Sequence, residues 1–336
     1  MPRPGLTAVA LLAAIMSERA FWVVEPGRGE IRAASSPGGG DAGAVHVLAR
    51  FSGISRGTES LVFQGRVPIS LREAMRCPFQ EGDFPAPVKY GYTSVGVTEA
   101  GERVFCLFPH QGRYAVPASA LHRIPETVPD QRAVLAANME TALNALWDGG
   151  PRAGDRIAVI GAGVVGCLVA RLCAGIPGTA VQLSDTNPAR AAVADALGVA
   201  FRSPEEVGGD NDLVFHASGS DRGLATALAC AGFEATVLEL SWYGDRPASV
   251  PLGENFHAGR LTLKASQVGH VAAARRPRRS VRDRMRTALE FLADPVFDCL
   301  LTGTSRFEDL PDTMKTLSHD PGDTLCHVIA YQSEAR

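Results

Sequence analysis

Residues 156–166 read Arg-Ile-Ala-Val-Ile-Gly-Ala-Gly-Val-Val-Gly, and Asp185 follows 19 residues after the last glycine. Ile157 to Ile160 is a short apolar run of the kind that forms a strand buried on both faces. Gly161 suits a tight turn out of that strand. Gly163 lets backbone approach a pyrophosphate, and Gly166 lets the next helix pack close to the sheet. Val164, Val165 and Gly166 open that helix, whose free N–H groups and positive dipole end suit phosphate oxygens. A strand before, a helix after and an acid at this distance make a dinucleotide fingerprint rather than a chance glycine pattern.

A second apolar run, Ala180 to Ser184, ends at Asp185, where an acid can accept hydrogen bonds from ribose hydroxyls. Asp185 would repel a 2′-phosphate, so NAD is expected over NADP. Arg190, close by in sequence, tempers that preference.

A chain of 336 residues suits two domains better than one. With 46% hydrophobic and 21% charged residues it has the composition of a soluble globular protein, and a net charge of −3 argues against a general nucleic-acid binder. Seven cysteines are scattered without a Cys-x-x-Cys pair, which predicts reduced thiols and a cytoplasmic location. Ala8 to Met16 is apolar and faintly resembles a signal peptide. It is short and lacks a small-x-small cleavage site, so it reads as an N-terminal extension before a first strand at Ala20–Val24. No run reaches membrane-spanning length. Seven arginines between Arg275 and Arg286 read either as a solvated face or as a patch for an anionic partner.

The middle of the chain alternates strands and helices. A helix opens after Asn187-Pro188 and closes at Gly198; strands follow at Val199–Phe201 and Asp212–Phe215. Asp221–Ala231 reads as a helix stopped by Gly232, with strands at Glu234–Leu240 and Leu261–Ala265. This predicts a doubly wound parallel sheet of the Rossmann type. Before residue 120, short β-like runs (Val45–Phe51, Ser94–Glu99, Arg103–Leu107, Arg113–Val116) lie between Gly- and Pro-rich turns, and Ser35–Gly40 reads as a flexible turn. After residue 270 the chain returns to helix and then to a β-like stretch at Thr324–Tyr331. The parallel-sheet domain is thus inserted in a β-rich one.

This order, with three local motifs, resembles the medium-chain dehydrogenase/reductase superfamily of the zinc alcohol dehydrogenases. Ser52-Gly-Ile-Ser-Arg-Gly-Thr-Glu59 is similar to the first active-site motif, and Lys89-Tyr-Gly-Tyr-Thr-Ser-Val-Gly96 to the Gly-His-Glu segment. Ala137 to Leu146 is similar to the segment that carries the third ligand. The resemblance implies an α/β protein. Its Rossmann NAD-binding domain (138–269) would be inserted in a β-rich GroES-like catalytic domain (1–137 and 270–336). The zinc ligand positions hold Ser55, Tyr92-Thr93 and Ala137, and the cysteine-rich lobe of structural zinc is missing. Zn²⁺ is held by thiolate, imidazole or carboxylate, so no metal is expected. Among zinc-free members the two motifs look most like the bacteriochlorophyllide dehydrogenase branch, which oxidises a hydroxyethyl group on a macrocycle.

The resemblance also implies roles. Tyr92, at a former ligand position, would hydrogen-bond the substrate oxygen or fill the space left by the metal. Thr58 would occupy the hydroxyl proton-relay position and Glu59 the supporting acidic one. Glu140 would serve as general acid/base beside the nicotinamide or as a first-turn glutamate on the helix dipole. Arg56 would meet the cofactor pyrophosphate, Thr141 the nicotinamide and Ser266 its carboxamide, while Ser218 sits at the crevice end of a strand. His110 reads as a structural or exposed loop histidine. The expected activity is a zinc-independent, NAD(H)-dependent interconversion of a secondary alcohol and a ketone. The expected substrate is a small to medium molecule, cyclic ones included; a homodimer, common in the family, is compatible but oligomeric state stays open, and no membrane or nucleic-acid partner is expected. The alternatives are reduction of an activated C=C bond, as in enoyl and quinone reductases, and a non-catalytic NAD-sensing or nucleic-acid-binding role.

Overall fold

A computed structural model describes residues 18–34 and 43–331. The apolar run at Ala8–Met16 and the turn at Ser35–Gly40 lie outside the described residues. The strands are β1 (Arg19–Glu25), β2 (Arg28–Ala33), β3 (Ala44–Ile54), β4 (Glu81–Gly82), β5 (Val88–Lys89), β6 (Ser94–Thr98), β7 (Arg103–Cys106), β8 (Arg113–Pro117), β9 (Leu121–Arg123), β10 (Arg156–Ile160), β11 (Ala180–Ser184), β12 (Ala200–Arg202), β13 (Asn211–His216), β14 (Ala231–Glu239), β15 (Thr262–Ala265), β16 (Leu301–Arg306) and β17 (Cys326–Ala330). The helices are α1 (Arg56–Phe63), α2 (Asp130–Ala133), α3 (Ala136–Gly149), α4 (Val164–Ala174), α5 (Arg190–Ala196), α6 (Asp221–Ala229), α7 (Val281–Phe291) and α8 (Leu310–His319). None of these helices is long and apolar enough to cross a membrane.

The chain divides into two compact units. Among the described residues, those up to 134 and from 303 onward form the first, and 135–302 form the second. In the first unit a seven-stranded sheet runs β16-β17-β3-β6-β7-β9, with β8 also paired to β3, beside a four-stranded sheet β2-β1-β5-β4. The length of β3 lets it pair β6, β8 and β17, so residues from both ends of the chain meet on it. Its inward residues Val47 and Ala49 pack with Val104, Cys106, Phe108, Tyr114 and Val116. The Phe108 and Tyr114 rings stack at 3.8 Å, and the buried Tyr114 hydroxyl donates to Ser94 Oγ at 3.0 Å.

The second unit is a six-stranded sheet in the order β12-β11-β10-β13-β14-β15, with every pairing parallel. This is the doubly wound order, with the strand reversal between β10 and β13. Ile157, Ala158 and Val159 are fully buried, as a central parallel strand requires. The helix expected at Asp221–Ala231 ends earlier, at Ala229, and β14 begins at Ala231 with Gly232 inside it. The reason lies on β13: Asn211 donates from its backbone and its side chain to the Cys230 carbonyl, drawing that residue out of the helix. The pairing then slips between Asn211 and Leu213.

The return to the first unit falls at residue 303 rather than 270. Residues 270–302, including α7, lie with the parallel sheet. Arg284 on α7 fixes them there. It donates to Asn144 Oδ1 at 2.5 Å, to the Val268 carbonyl at 2.5 Å and to the His270 carbonyl at 3.1 Å. The arginine run is therefore divided in use: Arg284 is buried, while Arg275, Arg276, Arg278, Arg279, Arg282 and Arg286 are exposed.

Candidate functional site

Two sets of side chains carry chemistry, one in each unit. In the first unit, β3 ends at Ile54 and α1 begins two residues on, so Ser55, Thr58 and Glu59 fall on the first turn of that helix. The Glu59 carboxylate turns back to accept the Ser55 N–H at 2.7 Å, which closes the helix start. The Tyr92 phenol lies in hydrogen-bond reach of the Ser55 and Thr58 side chains. Burial, and next the Glu59 charge, hold the Tyr92 phenol well above its ordinary range, so it keeps its proton. Burial pushes the neighbouring Cys77 thiol up to about 12, which leaves it an unreactive thiol.

Behind this trio runs a buried chain. Glu59 Oε2 lies 2.8 Å from His110 Nε2, His110 Nδ1 lies 2.7 Å from Ser52 Oγ, and Ser52 Oγ lies 3.0 Å from the Tyr331 hydroxyl. His110 is 1% exposed, so the expectation of a structural or exposed loop residue resolves to a buried one that pairs an acid. The Tyr331 ring stacks on Phe307 at 4.7 Å, and Lys89, fully buried, ties to Gln111 Oε1 at 2.6 Å and to Glu81. These contacts hold the histidine loop and the Lys89–Tyr92 segment in place. Sequence reading gave His110 little weight and omitted Ser52 and Tyr331 from the site.

In the second unit the glycine loop joins β10 to α4. Gly161 has φ +107°, and a Cβ there would lie 2.6 Å from the Ser218 backbone nitrogen. A Cβ on Gly166 would collide with the Gly161 carbonyl oxygen, whereas one on Gly163 would meet nothing within 4 Å. The start of α4 has no side-chain cap, so no capping side chain occupies the N–H groups of its first turn, Val164, Val165 and Gly166. This cradle fits a pyrophosphate. We expect Gly166→Ala to push α4 off the sheet and to weaken dinucleotide binding by at least tenfold, read by calorimetric titration; unchanged binding would show that the helix approach is not what matters.

Asp185, at the end of β11, receives the Ala162 N–H at 2.7 Å and the Asn187 N–H at 2.9 Å. Its carboxylate thus sets the shape of the glycine loop, with acceptor capacity left over for a ribose. Arg190 is buried at the start of α5 in the field of Cys167, not presented at the surface as a 2′-phosphate ligand would be. The Thr141 hydroxyl donates to the Ala137 carbonyl at 3.0 Å, and the Ser266 hydroxyl to Asp148 at 2.8 Å. Arg56 is half-buried as the first residue of α1.

Glu140 lies in a buried ion pair within the second unit. Its carboxylate is 3% exposed and pairs with Arg284 Nε at 3.1 Å. Burial raises its pKa, and the Arg284 charge offsets part of that rise. A carboxylate committed to a buried guanidinium is poorly placed to exchange protons with a substrate.

No protein-family model matches the chain. An uncharacterised zinc-type alcohol dehydrogenase-like protein of Haemophilus influenzae is 26% identical over 223 residues, which are 62% of this chain; the chain spans 61% of that relative's length. Among solved structures, the 2R,3R-butanediol dehydrogenase of Bacillus subtilis superposes with TM-score 0.73 at 17% identity, over 93% of this chain and 99% of its own. The alcohol dehydrogenase TADH of Thermus sp. ATN1 superposes with TM-score 0.71 at 19% identity, over 93% and 99%. A short chain alcohol dehydrogenase of E. coli, complexed with NADH, gives TM-score 0.72 at 18% identity, over 93% and 98%. The fold is therefore that of the alcohol-dehydrogenase-like proteins, a parallel-sheet domain inserted in a GroES-like one.

Proposed function

We propose that this chain is a zinc-independent, NAD(H)-dependent oxidoreductase that interconverts a secondary alcohol and a ketone. The observation that carries the reading is the cluster of Tyr92, Ser55 and Thr58 hydroxyls where zinc-dependent relatives place metal ligands and a relay hydroxyl. The glycine cradle and Asp185 would hold the dinucleotide, with NAD favoured because the acid repels a 2′-phosphate and Arg190 is buried. When bound, the reduced nicotinamide supplies the hydride.

The chain's own residues handle the proton. Tyr92 keeps its phenolic hydrogen across the working range, so it donates a hydrogen bond to a substrate carbonyl oxygen. As negative charge grows on that oxygen, the phenolic proton passes to it. The Ser55 and Thr58 hydroxyls stabilise the oxygen left on Tyr92 until it is reprotonated.

The donor set at Ser55, Tyr92 and Ala137 contains no thiolate, imidazole or carboxylate, and so does not fit zinc. Metal analysis of the purified protein is expected to find far less than one zinc per chain. A stoichiometric, chelator-sensitive zinc would overturn the metal-free reading. Product analysis with deuterated NADH tests the reaction itself. Deuterium on a carbinol carbon is expected; deuterium β to a retained carbonyl would replace the reading with C=C reduction.

A further inference from the structure

His110 stands in the first unit, in the loop between β7 and β8, and its ring is held from several sides. Ser52 Oγ lies 2.7 Å from Nδ1, and Glu59 Oε2 lies 2.8 Å from Nε2. The Phe21 ring meets the imidazole edge-on, with centroids 6.4 Å apart and planes at 77°. The Phe21 N–H also donates to the His110 carbonyl at 2.9 Å, which ties the histidine backbone to β1.

This ring touches both segments that carry the candidate proton machinery. On one side Glu59 divides its carboxylate, with Oε2 on the imidazole and Oε1 on the Ser55 N–H. On the other side the ring lies against Gly91, the residue before Tyr92. Gly91 has φ +138°, and a Cβ there would stand 3.0 Å from His110 Cδ2 and 3.3 Å from its Nε2. A single methyl group would therefore displace the ring or the segment, because the Gly91 backbone rests directly on the imidazole. Beyond Tyr92, the Thr93 hydroxyl accepts the Gly53 N–H at 2.8 Å and donates to the Gly53 carbonyl, which clamps that flank to β3. Tyr92 thus stands between a backbone clamp and the His110 ring. The contacts close on themselves: Ser55 to Glu59, Glu59 to His110, His110 to Gly91, and from Tyr92 back to Ser55 and Thr58.

We propose that His110 is a positioning residue for proton delivery: its ring spaces the Gly91–Tyr92 segment from the first turn of α1, and so fixes where the Tyr92 hydroxyl stands relative to those of Ser55 and Thr58. The proposal rests on the reading of Tyr92 as the proton donor. At 1% exposure His110 acts through these neighbours and not on the substrate. An imidazole suits the task. It is planar and rigid, and its two nitrogens are anchored to different elements, Ser52 on β3 and Glu59 on α1, so both its distance and its tilt are set. Ser52 is backed in turn by the Tyr331 hydroxyl at 3.0 Å. Such stiffness matters because a donor misplaced by about 1 Å can cost about 10²-fold in rate.

Steady-state kinetics of NADH-dependent ketone reduction by the full chain test this, in a double-mutant cycle with Tyr92→Phe. His110→Phe keeps the bulk of the ring and loses both polar contacts. It is expected to lower kcat about 30-fold, with ketone KM and NADH affinity within about twofold of the wild type. His110→Gln, whose amide can still meet Glu59, is expected to recover kcat to within about fivefold of the wild type. In the Tyr92→Phe background either substitution is expected to change kcat by less than about twofold, because no phenolic hydrogen is left to position. Ser52→Ala loosens only the Nδ1 side; it is expected to cost about threefold in the wild type and nothing in Tyr92→Phe. A loss of equal size in both backgrounds marks a general structural role and removes the inference alone, as does a folded His110→Phe with full kcat. Should His110→Phe not fold, Ser52→Ala with full kcat removes it. Wild-type protein that reduces no ketone, or Tyr92→Phe with full kcat, removes the underlying reading and this inference with it.

Discussion

Tyr92→Phe is expected to lower kcat for ketone reduction by about 10²- to 10³-fold, with little change in dinucleotide affinity. The substitution removes one hydroxyl and keeps the ring that packs edge-on against Tyr90 at 6.0 Å. Stability should therefore change little, and the loss reports chemistry. The size follows from the role. A donor held by its surroundings against a developing oxyanion is worth far more in the transition state than in the ground state. The hydroxyls of Ser55 and Thr58 would remain, but in the wild type they stabilise the Tyr92 oxygen and have no position of their own opposite the substrate. Steady-state kinetics of the variant on a panel of ketones checks the role. Retention of full kcat would remove Tyr92 from the chemistry and leave it as the filler of a vacated metal site.

The second large effect concerns stability. Glu140→Ala strands the Arg284 guanidinium, 1% exposed, without its acid. Removing one partner of such a pair costs about 3–5 kcal/mol. Arg284 also gathers Asn144 and the Val268 and His270 carbonyls, so its displacement would loosen the loop that follows β15 as well as α7. Replacing both charges, as in Glu140→Leu with Arg284→Met, should recover most of that loss, because the pair's own desolvation cost disappears with it. Calorimetric unfolding of the single and double variants separates these outcomes. A single variant within about 1 kcal/mol of the wild type would mean that Arg284 finds other solvation.

The parallel sheet was legible because its signals are local. The glycine spacing, the apolar run of β10 and the acid at Asp185 lie within 30 residues, and the periodicity of the following elements is short-range. The first active-site motif was legible for the same reason, since Ser55, Thr58 and Glu59 share one helical turn. What stayed hidden was long-range pairing. His110 meets Glu59 across 51 residues, and Ser52 meets Tyr331 across 279, distances over which no sequence pattern marks a partner. Glu140 looked like a candidate acid because its partner stood concealed among exposed arginines 144 residues away. The end of the inserted unit was misplaced by the same arginine, since a basic run reads as surface and Arg284 is core.

The length of β3 has a further consequence, for synthesis on the ribosome. The parallel-sheet unit is contiguous and complete once residue 302 has emerged. The other unit is not, because β3 waits for β17 to fill one of its edges. Ser52 and Tyr331 are 279 residues apart, roughly 15 to 60 s of translation at ordinary rates. Throughout that interval the buried histidine chain lacks its last hydroxyl and one edge of β3 is open to other strands. The nascent chain is thus exposed to mispairing for longest at the strand that leads into α1, and late-arriving β17 is the segment that ends the exposure.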